Sequence, residues 1–145
     1  MKISKNKFLG MLVFLLISSI SISGQYKDAL ISRMSDFRNS VFANVDEGND
    51  FEQKEALRKT EEEWDKELNI VYQKIMKVAD AVTKNKLRNA QRAWIKFRDS
   101  EIENSYYTNN PNGGSMGILF SLNTAAKLTE ERAVQLAEMY DALDK

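Results

Sequence analysis

Asp99, Glu101 and Glu103 are the residues of this 145-residue chain whose type and spacing could do acid–base chemistry. A carboxylate pair works only when both groups share a pocket and their surroundings push their pKa values apart. On one helix at ~100° per residue these three point in different directions, and the flanking sequence offers no pocket to perturb them. The chain has no histidine, which removes His-dependent triads, His-based zinc sites and Glu-x-x-His di-iron sites. It has no cysteine, which removes thiol chemistry. The expectation is a protein that binds rather than catalyses, with no metal and no cofactor.

A second set of residues is polar where a helix should be apolar. In LRNAQRAWIKFRD, Leu87 to Asp99, the residues Leu87, Ala90, Trp94 and Phe97 share one stripe of a helix. Gln91 and Arg98 fall inside or beside that stripe. Upstream, LNIVY carries Leu68, Asn69 and Tyr72. An amide or guanidinium aimed at a core must find partners, because an unpaired buried donor costs ~1–3 kcal/mol. If the two segments fold back on each other, Arg98 faces Asn69 and comes within reach of Asp65, and Trp94 meets Ile75. Asp65, Asn69, Gln91, Arg98 and Asp99 are therefore expected to form a polar layer between helices, its role structural or functional. Leu68, Tyr72, Trp94 and Phe97 are expected in the core, although Tyr72, Trp94 and Phe97 could also stack on a ligand.

These residues carry a resemblance. LN-x-x-Y, then L-x-x-AQ-x-AW-x-x-FRD, then a Gly-Gly loop and LT-x-x-R with a leucine four residues on, resembles the LprI-type lysozyme inhibitors, small exported bacterial domains. The matching positions include Leu68, Asn69, Tyr72, Leu87, Ala90, Gln91, Trp94, Phe97, Arg98, Asp99, Gly113, Gly114, Leu128, Thr129, Arg132 and Leu136, and the resemblance spans roughly 61–137. It implies a protein partner, possession of the family fold, and inhibition of a lysozyme-like hydrolase. It also implies cysteines just after the Arg-Asp pair and shortly before Thr-x-x-Arg, where this chain has Ile102 and Thr124, so no disulfides are expected. The lipid-attachment cysteine of such lipoproteins is absent as well.

The N-terminus sets the compartment. Lys2, Lys5 and Lys7 precede an apolar run from Phe8 to Ile22, and Ser23-Gly24 supplies small residues. This reads as a secretory signal peptide over 1–24, cut before Gln25. The competing reading is a membrane anchor, but the run falls short of the ~20 residues a spanning helix needs. The expected location is periplasmic or secreted. A single domain then covers 25–145. Removing the three lysines from the 21 basic residues leaves 18 against 21 acidic, a net charge of −3. That disfavours nucleic acid and suits a cationic protein partner. Oligomeric state stays open.

Periodicity predicts an all-α fold: a bundle of four main antiparallel helices plus a short helix after a Gly-rich loop. Tyr26, Leu30, Met34, Phe37 and Val41 define the first helix, and VDEGND (45–50) a turn with Asp50 as cap. The second runs from about Phe51 to Val82. The apolar phase then jumps by ~140°, which places a break at 83–86 or, less simply, a straight-through helix. The third helix runs to about Tyr106. TNNPNGGSMG (108–117) holds the sole proline and three of the six glycines and reads as an exposed loop. A short helix covers 116–127, and Thr129 is expected to cap the last one. Tyr106, Tyr107, Asn112, Gly113, Gly114 and Ser115 are the candidate partner-binding residues. The alternative function is an envelope scaffolding role without a hydrolase partner.

Overall fold

The computed structural model describes residues 24–108 and 114–144. They form four helices: α1 (Gln25–Phe42), α2 (Asp50–Val78), α3 (Ala81–Thr108) and α4 (Ser115–Leu143). No strand occurs among the described residues, and none of their helices is long and apolar enough to cross a membrane. All but Gly24 of the expected signal peptide lies outside them, as do Asn112 and Gly113.

Each helix is fixed at its ends by local chemistry. The cap of α2 is Asn49, not Asp50: its Oδ1 accepts from the N–H groups of Phe51 (3.1 Å) and Glu52 (3.3 Å). Glu52 reaches back, accepting from Asn49 Nδ2 and from the Asp46 N–H at 2.9 Å each. This is a reciprocal box that satisfies N–H groups a helix start leaves orphaned. The break after α2 falls at Ala79 and Asp80, four residues before the predicted 83–86. Ala79 turns extended while its N–H still donates to the Ile75 carbonyl, and Asp80 Oδ1 then accepts from the Thr83 N–H at 2.7 Å. A good cap one turn upstream outweighs the phase of the apolar stripe in setting where the chain bends.

The predicted short helix and the last helix are one. α4 runs unbroken through Leu128 and Thr129, and Thr129 is fully buried in its middle rather than capping anything. Helix formers on both sides carry the backbone through, and Ala125, Ala126, Ala133 and Ala137 leave room for neighbours to approach. α4 is the central element, packed against α1, α2 and α3, whereas α2 and α3 hardly approach each other along their backbones.

Cross-contacts give the directions. Ser115 at the start of α4 donates to Asp50 at the start of α2 (2.6 Å), and Lys74 near the end of α2 lies 5.3 Å over the Tyr140 ring near the end of α4. The most extensively packed pair therefore runs in parallel, which amends the expectation of four antiparallel helices. α1 runs against both: Tyr26 meets Tyr140 edge-on at 5.2 Å, and the Tyr26 and Lys27 N–H groups donate to the Asp141 carboxylate at 2.9 Å each. The core between α1, α2 and α4 holds Leu30, Met34, Trp64, Leu68, Val71, Ile75 and Leu136, with Leu87 joining from α3.

Candidate functional site

With α4 as their shared support, α2 and α3 leave an open cleft of about 430 Å³ between them. Asp65, Leu68, Asn69 and Tyr72 line the α2 side, at the spacing of one helix face. Arg88, Gln91, Arg92, Trp94, Ile95 and Arg98 line the α3 side. The sequence motifs therefore converge on this cleft.

The polar residues expected as one layer form two groups. Asn69 Nδ2 donates to the Asp65 carbonyl (2.8 Å) and to Asp65 Oδ2 (3.0 Å), within α2. Arg98 donates through Nε and Nη2 to Asp99 Oδ1 (3.0 and 2.9 Å) and stays 3.9 Å from Asp65, so it does not grip Asp65 with both arms. Its guanidinium lies 5.1 Å over the Trp94 ring, a cation–π contact that fixes it in place. Gln91 belongs to the other group: its Oε1 accepts from Arg132 Nε of α4 at 3.0 Å. The separation of the α2 and α3 backbones accounts for the split, since a layer needs both walls within hydrogen-bond reach.

Phe97 does not join the core; it is 52% exposed. The buried line of α3 runs from Leu87 to Ser105, which share an azimuth because 18 residues make five turns. Phe97 lies ~80° from that line. With α4 behind only one side of α3, a side chain so far off the line emerges into solvent. Leu68 is buried, and Trp94 and Tyr72 pack half-buried against the core.

At the far end of α3, Tyr106 and Tyr107 meet edge to face at 4.9 Å. The Tyr106 hydroxyl accepts from the Gly114 N–H at 3.1 Å, and its ring lies against Gly117. Gly114 has φ 84°, a backbone state that favours glycine. Ser115 bonds Asp50 and accepts from Lys54, tying the start of α4 to α2. Tyr107, 59% exposed, is the aromatic left facing outward.

Three features of the cleft region escape the motif reading. Burial, reinforced by the nearby Asp65 carboxylate, pushes the Glu61 carboxyl above its usual range, while Arg98 opposes the shift. Arg132 is half-buried and lowered by desolvation from its ordinary value; its partners are the amide oxygens of Gln91 and Gln135. Arg88 and Arg92 are exposed on the cleft wall. Lysine and arginine spacing in the sequence carries the signal for the last pair. Among the described residues no group of three acidic side chains is arranged to hold a metal ion.

The described residues thus form a helical domain whose polar, arginine-bearing cleft is backed by one central helix. A family model described as "Lysozyme inhibitor LprI" matches residues 43–136, and the chain belongs to that family. The match takes in α2, α3 and most of α4, the elements that build the cleft, and omits α1. No curated protein and no solved structure matches the chain.

Proposed function

We propose that this protein is an exported inhibitor of a lysozyme-like peptidoglycan hydrolase and acts by protein–protein contact. The observation that carries this reading is the family match over 43–136. Export rests on the basic and apolar N-terminus, with cleavage before Gln25 releasing a single domain to the periplasm or the medium. Tyr107 supports a contact at the α3–α4 end, because it is exposed and rigidified against Tyr106, and aromatic anchors are enriched in interface centres. Tyr106, Asn112, Gly113, Gly114 and Ser115 complete that contact region, while Asp65, Asn69, Gln91 and Arg98 line the cleft and Asp99 holds Arg98.

The test is calorimetric titration of the 25–145 chain into several types of lysozyme. Binding near one-to-one supports the reading, and no heat with any of them refutes it. Deleting 110–115 in a chain that still folds should weaken binding; unchanged affinity would remove the loop from the contact region while leaving the inhibition itself in place.

A further inference from the structure

Between residues 84 and 98 the chain carries Lys84, Lys86, Arg88, Arg92, Lys96 and Arg98 and no carboxylate. Among the described residues only Arg98 of these six is in an ion pair. Elsewhere among the described residues ion pairs are commoner: Lys27, Arg33, Lys54, Arg58, Lys66 and Lys127 are paired with carboxylates, while Arg38, Lys59, Lys74, Lys77 and Arg132 are not. The first two thirds of α3 therefore present concentrated positive charge that the fold itself does not neutralise. This charge sits on a protein whose mature net charge is expected to be negative, so it is local and directional.

Arg88 and Arg92 occupy one face of α3, both exposed and both on the cleft wall. One turn apart, they are separated by about 6 Å along the helix axis. Glycoside hydrolases generally work with two carboxylates ~5–9.5 Å apart in a substrate cleft. Two arginines whose backbone positions are that far apart, on long flexible stems from a helix packed mainly on α4, can reach such a pair. Guanidinium–carboxylate contacts can be bidentate, which adds geometric selection to charge.

We infer that Arg88 and Arg92 engage the paired catalytic carboxylates of the inhibited hydrolase, so that the α3 ridge blocks its substrate cleft. The inference rests on the inhibitor reading and adds to it the surface and the chemistry of contact. Lys96 lies one further turn along, and Tyr107 falls within ~60° of Arg92 around α3, so ridge and aromatic end can belong to one interface.

The test uses Arg88→Glu/Arg92→Glu against the lysozyme that the wild-type chain inhibits most strongly. Lys59→Glu/Lys77→Glu on α2 is the control, with the same change in net charge at exposed, unpaired positions. Circular dichroism confirms folding, and Arg88→Gln/Arg92→Gln serves as a milder second variant. The expected result is at least about tenfold weaker inhibition for both arginine variants, the control within about twofold, and competition by a chitin trisaccharide occupying the lysozyme cleft. Equal losses in the arginine and control variants, or no loss in either, overturn the inference while inhibition by the wild type stands. A wild type that inhibits no lysozyme overturns the inhibitor reading and this inference together.

Discussion

Arg33 on α1 grips Glu67 on α2 through two hydrogen bonds, Nε to Oε1 and Nη2 to Oε2, each 2.8 Å long. The Glu67 side chain is only 9% exposed, so its carboxylate depends on that guanidinium for much of its compensation. The hydrogen bonds, reinforced by the charge of Glu67, hold the Arg33 guanidinium above its ordinary pKa.

Arg33→Ala should therefore destabilise more than an ordinary surface change. Leaving a buried carboxylate without its partner costs several kcal/mol in a dry site. Arg33 is half-exposed and water can replace part of it, so about 1–3 kcal/mol is expected, read from the urea midpoint. A change below about 0.5 kcal/mol would mean the pair does not bind α1 to α2.

Gly117→Ala should destabilise despite alanine's better helix propensity. A Cβ there would meet the Tyr106 ring and the Tyr106 carbonyl oxygen at 3.0 Å. The ring could swing, but a backbone oxygen moves only with α3. Overpacking of about 1–3 kcal/mol exceeds the ~1 kcal/mol gained in propensity. The melting temperature should fall, and the Tyr106–Gly114 contact should loosen with it.

Thr129→Val should stabilise. The Thr129 hydroxyl is buried and has no hydrogen-bond partner among the described residues. Replacing it with a methyl of similar size removes a desolvated polar group, for a gain of about 1 kcal/mol. A loss of stability on the same substitution would show that the hydroxyl is satisfied in solution.

Asp80 ties the start of α3 to pH. Its carboxylate accepts from the Thr83 N–H, which holds its pKa below the usual carboxylate range. A carboxyl lowered by folding contributes stability that is present above its unfolded pKa and lost as pH falls through its folded pKa. Asp80→Ala should lower the melting temperature at neutral pH, and its gap to wild type should narrow as the pH drops into the acid range. A gap that stays constant with pH would deny the carboxylate this role.

The helices were legible because their apolar residues recur with helical period: Leu30 and Met34 on α1, and Leu68, Val71 and Ile75 on α2, are buried as such spacing requires. Boundaries were less so. Asp80 is an evident cap once seen, but the apolar phase points four residues further on. Thr129 followed by two glutamates looks like a helix start, although helix formers on both sides carry α4 through it and packing on three neighbours buries it there. The candidate site shows the same limit. The motif residues Asp65, Asn69, Tyr72, Gln91, Trp94 and Arg98 do gather at one cleft. That they line it rather than fill a core depends on how far α2 stands from α3, a distance no spacing within one helix encodes. For the same reason Phe97, in step with Trp94, ends in solvent.

The most direct test of the central claim is a lysozyme turbidity assay titrated with the purified 25–145 chain. Inhibition that grows with added protein and saturates near one equivalent is the result expected of a member of this family acting by contact. Undiminished lysis at several equivalents, across lysozymes of different types, would contradict it.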